Sequence, residues 1–191
     1  MQDTTGVPAG HPPFRTVVHP GPLDSVRIAA MSDIRGRHLR LTLPSGRSIH
    51  ESMVQALMDE GVTSASMTLL DGDLETLVFC LAQPDPSGQR VAMYGQPHSE
   101  RNARFIFGNA TLGKAADGSP SVHCHAAFRT ENGTVRGGHV LTDKTVVGRR
   151  SIAVVVTALD SFELRIGYDD ETRMPLMRPR AYEANLKAAH V

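Results

Sequence analysis

Two hydrophobic rhythms alternate along this chain. One stretch has the helical period. Ile49, Met53 and Leu57, with the neighbours Val54 and Met58, form an apolar stripe. Ser48 opens it as a cap, with Glu51 three residues on, able to reach back to the cap, and Gly61 supplies a left-handed stop. The spacing predicts one amphipathic helix there. Almost everywhere else the period is two, the signature of half-buried strands. Arg37 to Leu43, Val62 to Leu70, Leu74 to Leu81, Ala103 to Leu112 and Ile152 to Leu159 read as strands. Ser25 to Ala30, Val91 to Tyr94 and Ser161 to Gly167 are shorter candidates. Asp71-Gly72-Asp73 reads as a tight turn between two strands, and Pro97 to Asn102 as a polar connection. Gly108 bends the Ala103 to Leu112 strand.

The most informative alternation runs from Ser121 to Leu141. Val122, Cys124, Ala126 and Phe128 are mainly apolar, while His123, His125 and Arg129 are polar. His123 and His125 therefore point the same way. Asn132-Gly133 is a hairpin turn signal, and Gly137-Gly138-His139 follows on the returning strand. With a two-residue loop, His139 lands opposite Ala126, on the wrong face. With the three-residue loop Glu131-Asn132-Gly133, Thr130 pairs with Thr134 and His139 faces His125. A bulge at Gly137-Gly138 gives the same result. We take the three-residue loop. Three converging imidazoles suit zinc, iron, nickel or manganese, and leave a coordination position open. The alternative is three unrelated histidines on a half-wet sheet.

Counted together, one helix stands against about eight strands, with a second short helical run at Ala181 to Ala189. Short turns favour antiparallel pairing. The expected class is α+β: a bent antiparallel β-sheet with one main helix packed on it. Residues 1–22 are rich in Pro, Gly and Thr and read as a mobile N-terminal arm. Residues 23–177 form the body, and residues 178–191 a C-terminal tail. Asp169-Asp170-Glu171 reads as a solvated acidic turn, and Met174 to Met177 as a segment packing back onto the body.

Composition narrows the function. The chain has 191 residues, enough for one domain with a real core. Lys and Arg together number 20, as do Asp and Glu, so the formal net charge is zero. That removes the electrostatic reason to expect binding to nucleic acid or a membrane surface by the domain as a whole. The two cysteines, Cys80 and Cys124, make no disulfide framework, and Cys124 reads as a core residue. No apolar run approaches a membrane span, and the N-terminus lacks the pattern of a secretion signal. A cytoplasmic protein is expected.

His123-Cys124-His125 followed by Gly137-Gly138-His139 resembles the histidine motif of prokaryotic plants-and-prokaryotes-conserved (PPC) domain proteins. Gly108-Asn109-Ala110-Thr111-Leu112, Asp117-Gly118-Ser119-Pro120, Arg40-Leu41 and Glu60-Gly61-Val62 are similar to the flanks of that motif. The resemblance spans roughly Val26 to Leu176. It implies a compact PPC-like domain, related to the acetolactate decarboxylase-like fold, that assembles as a homotrimer. It names His123, His125 and His139 as ligands of a divalent metal, zinc first. DNA binding or a regulatory role is implied by plant relatives that add an AT-hook. Here Arg35-Gly36-Arg37-His38 lacks the proline of such a hook, and Arg178-Pro179-Arg180 lacks its glycine. The other reading is a metal-dependent lyase or hydrolase acting on a small oxygenated metabolite, a small-molecule ligand of the metal. Asn109, Arg165 and Glu171 are its candidate acid–base or supporting groups.

Overall fold

The structure is a computed structural model, and it describes residues 17–33 and 36–182. Eleven strands and one helix follow in the order β1 (Arg37–Leu43), α1 (Ile49–Asp59), β2 (Ala65–Cys80), β3 (Ala82–Gln83), β4 (Met93–Tyr94), β5 (His98–Lys114), β6 (Pro120–Arg129), β7 (Val135–Val140), β8 (Val146–Val147), β9 (Ile152–Ala158), β10 (Glu163–Asp169) and β11 (Met174–Arg180). Among the described residues the expected α+β class forms, mostly sheet with a single helix.

The frame is a pair of long strands. β2 and β5 run antiparallel in one unbroken register from Ala65↔Leu112 to Phe79↔His98. β5 pairs with β6, β6 with β7, and β7 returns to the end of β2 at Phe79↔Val140 and Cys80↔His139. These four strands close on themselves, which is the strong bend expected of the sheet. On its other edge β2 pairs with β9, which carries β1 beyond it. β10 joins β5 through a single parallel bridge, Arg165↔Lys114, and β11 completes that edge. β3 and β4 form a separate two-stranded ribbon.

The inner faces meet in one core, in which Phe79, Phe105 and Phe128 are fully buried. Phe79 packs on Phe128 at 4.7 Å between ring centroids. α1 lies against β1 and β6 and buries Ile49, Met53 and Leu57 completely. Burying each of these side chains contributes about 1.5–3 kcal/mol. Ser48 caps the helix: its Oγ accepts from the Glu51 amide at 3.0 Å. Glu51 does not reach back to the cap; its carboxylate pairs with Arg47 at 2.6 Å. The helix ends as expected, with Gly61 at φ +69 and Val62 N donating to Leu57 O.

Several expectations fail for tertiary reasons. Asp71-Gly72-Asp73 is no turn; β2 runs straight through it. Pairing on both edges overrides local turn chemistry here. Asp71 is held by Arg104 and Arg150, and a Cβ at Gly72 would lie 2.5 Å from Ile152 Cγ1. Residues 98–102 are likewise the start of β5, not a connection. β5 is kinked by a bulge opposite β6 between Phe105 and Phe107. Gly108 beside it is a close approach, where a Cβ would meet His125 O at 2.7 Å. Ser25 to Ala30 is irregular chain, not a strand. Asp169 and Glu171 are buried rather than solvated. Of the expected arm, residues 17–22 are described, and Gly21 N donates to Glu171 O at 2.9 Å. Met174 to Met177 does return to the body, as part of β11. The run expected to be helical at Ala181 to Ala189 lies almost wholly outside the described residues.

Candidate metal centre

The β6–β7 hairpin sets the register on which the site depends. Thr130 N donates to Thr134 O at 2.9 Å, and Gly133 N to Thr130 O at 2.9 Å. Asn132 Oδ1 accepts from Thr130 Oγ1 at 2.6 Å and from Thr134 N at 3.1 Å. Gly133 takes φ +87, the left-handed position of a three-residue loop. The ladder then runs without interruption from Arg129↔Val135 to Cys124↔Val140, so His125 faces His139. No bulge at Gly137-Gly138 is needed. Gly138 instead lets β2 approach; a Cβ there would lie 2.9 Å from Cys80 O.

Cys124, Ala126 and Phe128 turn inward and are buried. His123, His125 and His139 share the opposite face. Their ring centroids lie 4.8 Å (His123–His125), 4.6 Å (His123–His139) and 5.5 Å (His125–His139) apart. Each offers one ring nitrogen, and these atoms lie within 4.8 Å of one another. Burial pushes His139 down to about 4, with His123 and His125 adding to it. His123 is also lowered, by burial first and then by His125. At neutral pH both rings are neutral and keep a lone pair for a cation. Nδ1 of His139 is buried and has no hydrogen-bond partner among the described residues. An orphaned nitrogen inside a cluster of imidazoles is an atom that a metal ion would satisfy. The residues present therefore fit such an ion.

The short strand expected at Val91 to Tyr94 forms as β4, but the place of Tyr94 beside the histidines was not legible in the sequence. Tyr94 lies in the two-residue strand β4, with no periodic signal around it. Its ring stacks on His139 at 4.6 Å with 24° between planes, and burial raises its phenol. It borders two depressions. A groove of about 700 Å³ runs from His123 and His139 toward β10 and β11. A smaller hollow of about 150 Å³ lies between Cys80, Tyr94, His125 and His139.

The three further candidates are placed differently. Asn109 pairs with His125 across β5 and β6, on the histidine face. Its Oδ1 accepts from Thr68 Oγ1 at 3.4 Å. Arg165 is engaged by Glu163 at 2.8 Å, while its neighbours Leu164 and Ile166 line the groove. Glu171 binds the segment before β1: His19 Nδ1 at 2.7 Å, Asp24 N at 2.9 Å and Arg27 at 2.6 Å. These three contacts hold its carboxyl down to about 2, the Asp24 amide foremost. Thus Asn109 stands with the histidines, whereas Arg165 and Glu171 serve other networks. Cys124 points into the core, and burial pushes its thiol up to about 12.

The model of the Plants and Prokaryotes Conserved (PCC) domain matches residues 32–160. The chain belongs to this family. Among solved structures, a PPC protein from Pyrococcus horikoshii superimposes with a TM-score of 0.59 at 16% identity, covering 81% of this chain and 99% of that one. A metal-containing protein from Archaeoglobus fulgidus gives 0.60 at 17%, covering 80% and 99%. A protein from Ralstonia eutropha JMP134 gives 0.60 at 22%, covering 73% and 89%; its DNA-binding name is provisional. At these identities the likeness concerns the fold. A search of curated proteins gave no match. The expectation of a PPC-like α+β domain is met. No helix among the described residues is long and apolar enough to cross a membrane.

Proposed function

We propose that this PCC-domain chain is a metal-binding protein whose His123, His125 and His139 hold one divalent ion, zinc by preference. The observation that carries this is the convergence of three imidazoles, one of which, His139, has a buried Nδ1 with no hydrogen-bond partner among the described residues. The metal-containing neighbour from Archaeoglobus fulgidus supports it. With three protein donors the centre keeps an open position and lies beside a groove, the arrangement of a reactive rather than a structural site. When bound, such an ion supplies Lewis acidity to an oxygen-bearing ligand. The chain's own groups then bind and orient that ligand. Tyr94 fixes the plane of His139 by stacking, and Asn109 offers a side-chain amide on the histidine face. The reaction class this suits is a lyase or hydrolase acting on a small oxygenated metabolite. Zinc titration calorimetry tests the centre: tight binding of about one ion per chain is expected, and His139→Ala should abolish it.

The assembly that goes with this reading is a homotrimer. Its support is the family resemblance and an outward apolar cluster, Leu70 (42% exposed), Phe107 (52%) and Val155 (46%). Leu70 and Phe107 face each other directly across β2 and β5. Exposed clusters of this kind mark association surfaces. Sedimentation should give about three chain masses.

A regulatory, DNA-associated role is the second reading. Its support is the provisional naming of neighbours such as the Ralstonia eutropha protein. The charge pattern argues against it. Arg37 is paired with Asp160, and Arg104 and Arg150 with Asp71. A gel shift on duplex DNA that weakens steeply with salt would establish this reading; no shift at low salt would remove it.

A further inference from the structure

The groove that opens from the histidine cluster has two ends of different chemistry. His123 and His139 form one end. Thr111 stands opposite His123 and adds a hydroxyl there. Val122 of β6, Leu164 and Ile166 of β10, and Leu176 and Met177 of β11 supply apolar lining, beside Ser121 and Tyr94. Methionine and branched aliphatic side chains of this kind accept hydrocarbon and adapt to its shape.

Charge decides what the polar end of an occupant must be. The donor set is three imidazoles, with no thiolate or carboxylate among them. A divalent ion held there keeps both positive charges, so one anionic oxygen group is its natural partner. Among the described residues lining the groove, a second anionic group finds no free cation further along. Arg178 also lines the groove, but it is already paired with Asp169 and lies 3.7 Å from Asp24. The geometry points to a monocarboxylic acid with an aliphatic chain as the ligand of this groove, its carboxylate at the three-histidine end and its chain along β10 and β11. This rests on the metal-binding reading and adds to it the class of molecule bound.

The test is a chain-length series on the full, zinc-loaded protein. Acetate, butyrate, hexanoate and octanoate are titrated by calorimetry, with metal content measured on the same sample. Affinity should rise about fourfold per methylene, the value of burying one CH₂; acetate to octanoate adds six, so octanoate should bind roughly a thousandfold or more tighter than acetate. Ile166→Ser, and independently Leu176→Ser, should flatten the rise while leaving metal content unchanged. A dicarboxylate of similar length should bind no better than acetate. A metal-loaded wild-type protein with equal affinity for all four acids overturns this inference and leaves the metal reading standing. So does octanoate binding that is tight yet indifferent to both folded variants. A protein that holds no metal overturns both.

Discussion

His125 and His139 stand directly opposite each other across the β6–β7 hairpin. One residue more or less in the register would place His139 on the core face, because side chains alternate at every step. The loop Glu131-Asn132-Gly133 fixes that register, and with it the convergence of His123, His125 and His139.

The loop can be perturbed without touching a histidine. Gly133 sits at φ +87, where a β-branched side chain clashes with its own backbone. Gly133→Val should lower stability by about 1–2 kcal/mol, measured by chemical unfolding. Zinc binding by the folded fraction should also weaken. Unchanged stability would show that the loop is not in the left-handed geometry.

Gly108 backs the histidine strand from the core side of β5, opposite Ala126. A Cβ there would lie 2.7 Å from His125 O and 2.8 Å from Phe105 Cζ. The first of these is backbone, which yields little. Gly108→Ala should cost about 1–3 kcal/mol and shift His125 away from its partners. A thermal melt together with a zinc titration reads both effects.

In the metal-free protein, stability should depend on pH through His139. Its folded value is about 4 against an ordinary 6.5. Between these values the unfolded chain binds the proton more readily, so stability is complete above about 6.5 and falls as pH drops toward about 4. Denaturant unfolding of the chelated protein at pH 7.5, 5.5 and 4.5, conditions of roughly the span covered by histidine titration, should show this decline. His139→Gln should remove part of it.

Glu171 ties the segment from His19 to Arg27 onto the turn between β10 and β11. Glu171→Ala should free this segment for proteolysis while leaving zinc affinity unchanged. The carboxyl is held at about 2 against an ordinary 4.5. Its contribution is therefore present above about 4.5 and is lost as pH falls toward about 2. Limited proteolysis of the two proteins at neutral pH, with cleavage mapped between residues 17 and 33, checks the tether.

Much of this was legible in the sequence because it is local. Ser48 and Gly61 bracket α1 with interactions spanning a few residues, and the alternation from Val122 to Phe128 sorts core from site within one strand. What was not legible depends on distant partners. Asp71-Gly72-Asp73 has the composition of a turn, yet β5 and β9 pair with β2 around it, and Arg104 and Arg150 neutralise Asp71. Asp169 and Glu171 look solvated until Arg178 and the chain before β1 cover them. Tyr94 lies 45 residues before the ring it stacks on, in a strand too short to show a period.

The central claim is the metal centre. Metal content of the untagged protein by mass spectrometry, beside the His123→Ala, His125→Ala double variant, tests it most directly. About one divalent ion per chain is expected, absent from the variant while its circular dichroism stays that of the folded protein. A wild-type protein that is folded, supplied with zinc and still free of metal would contradict the account.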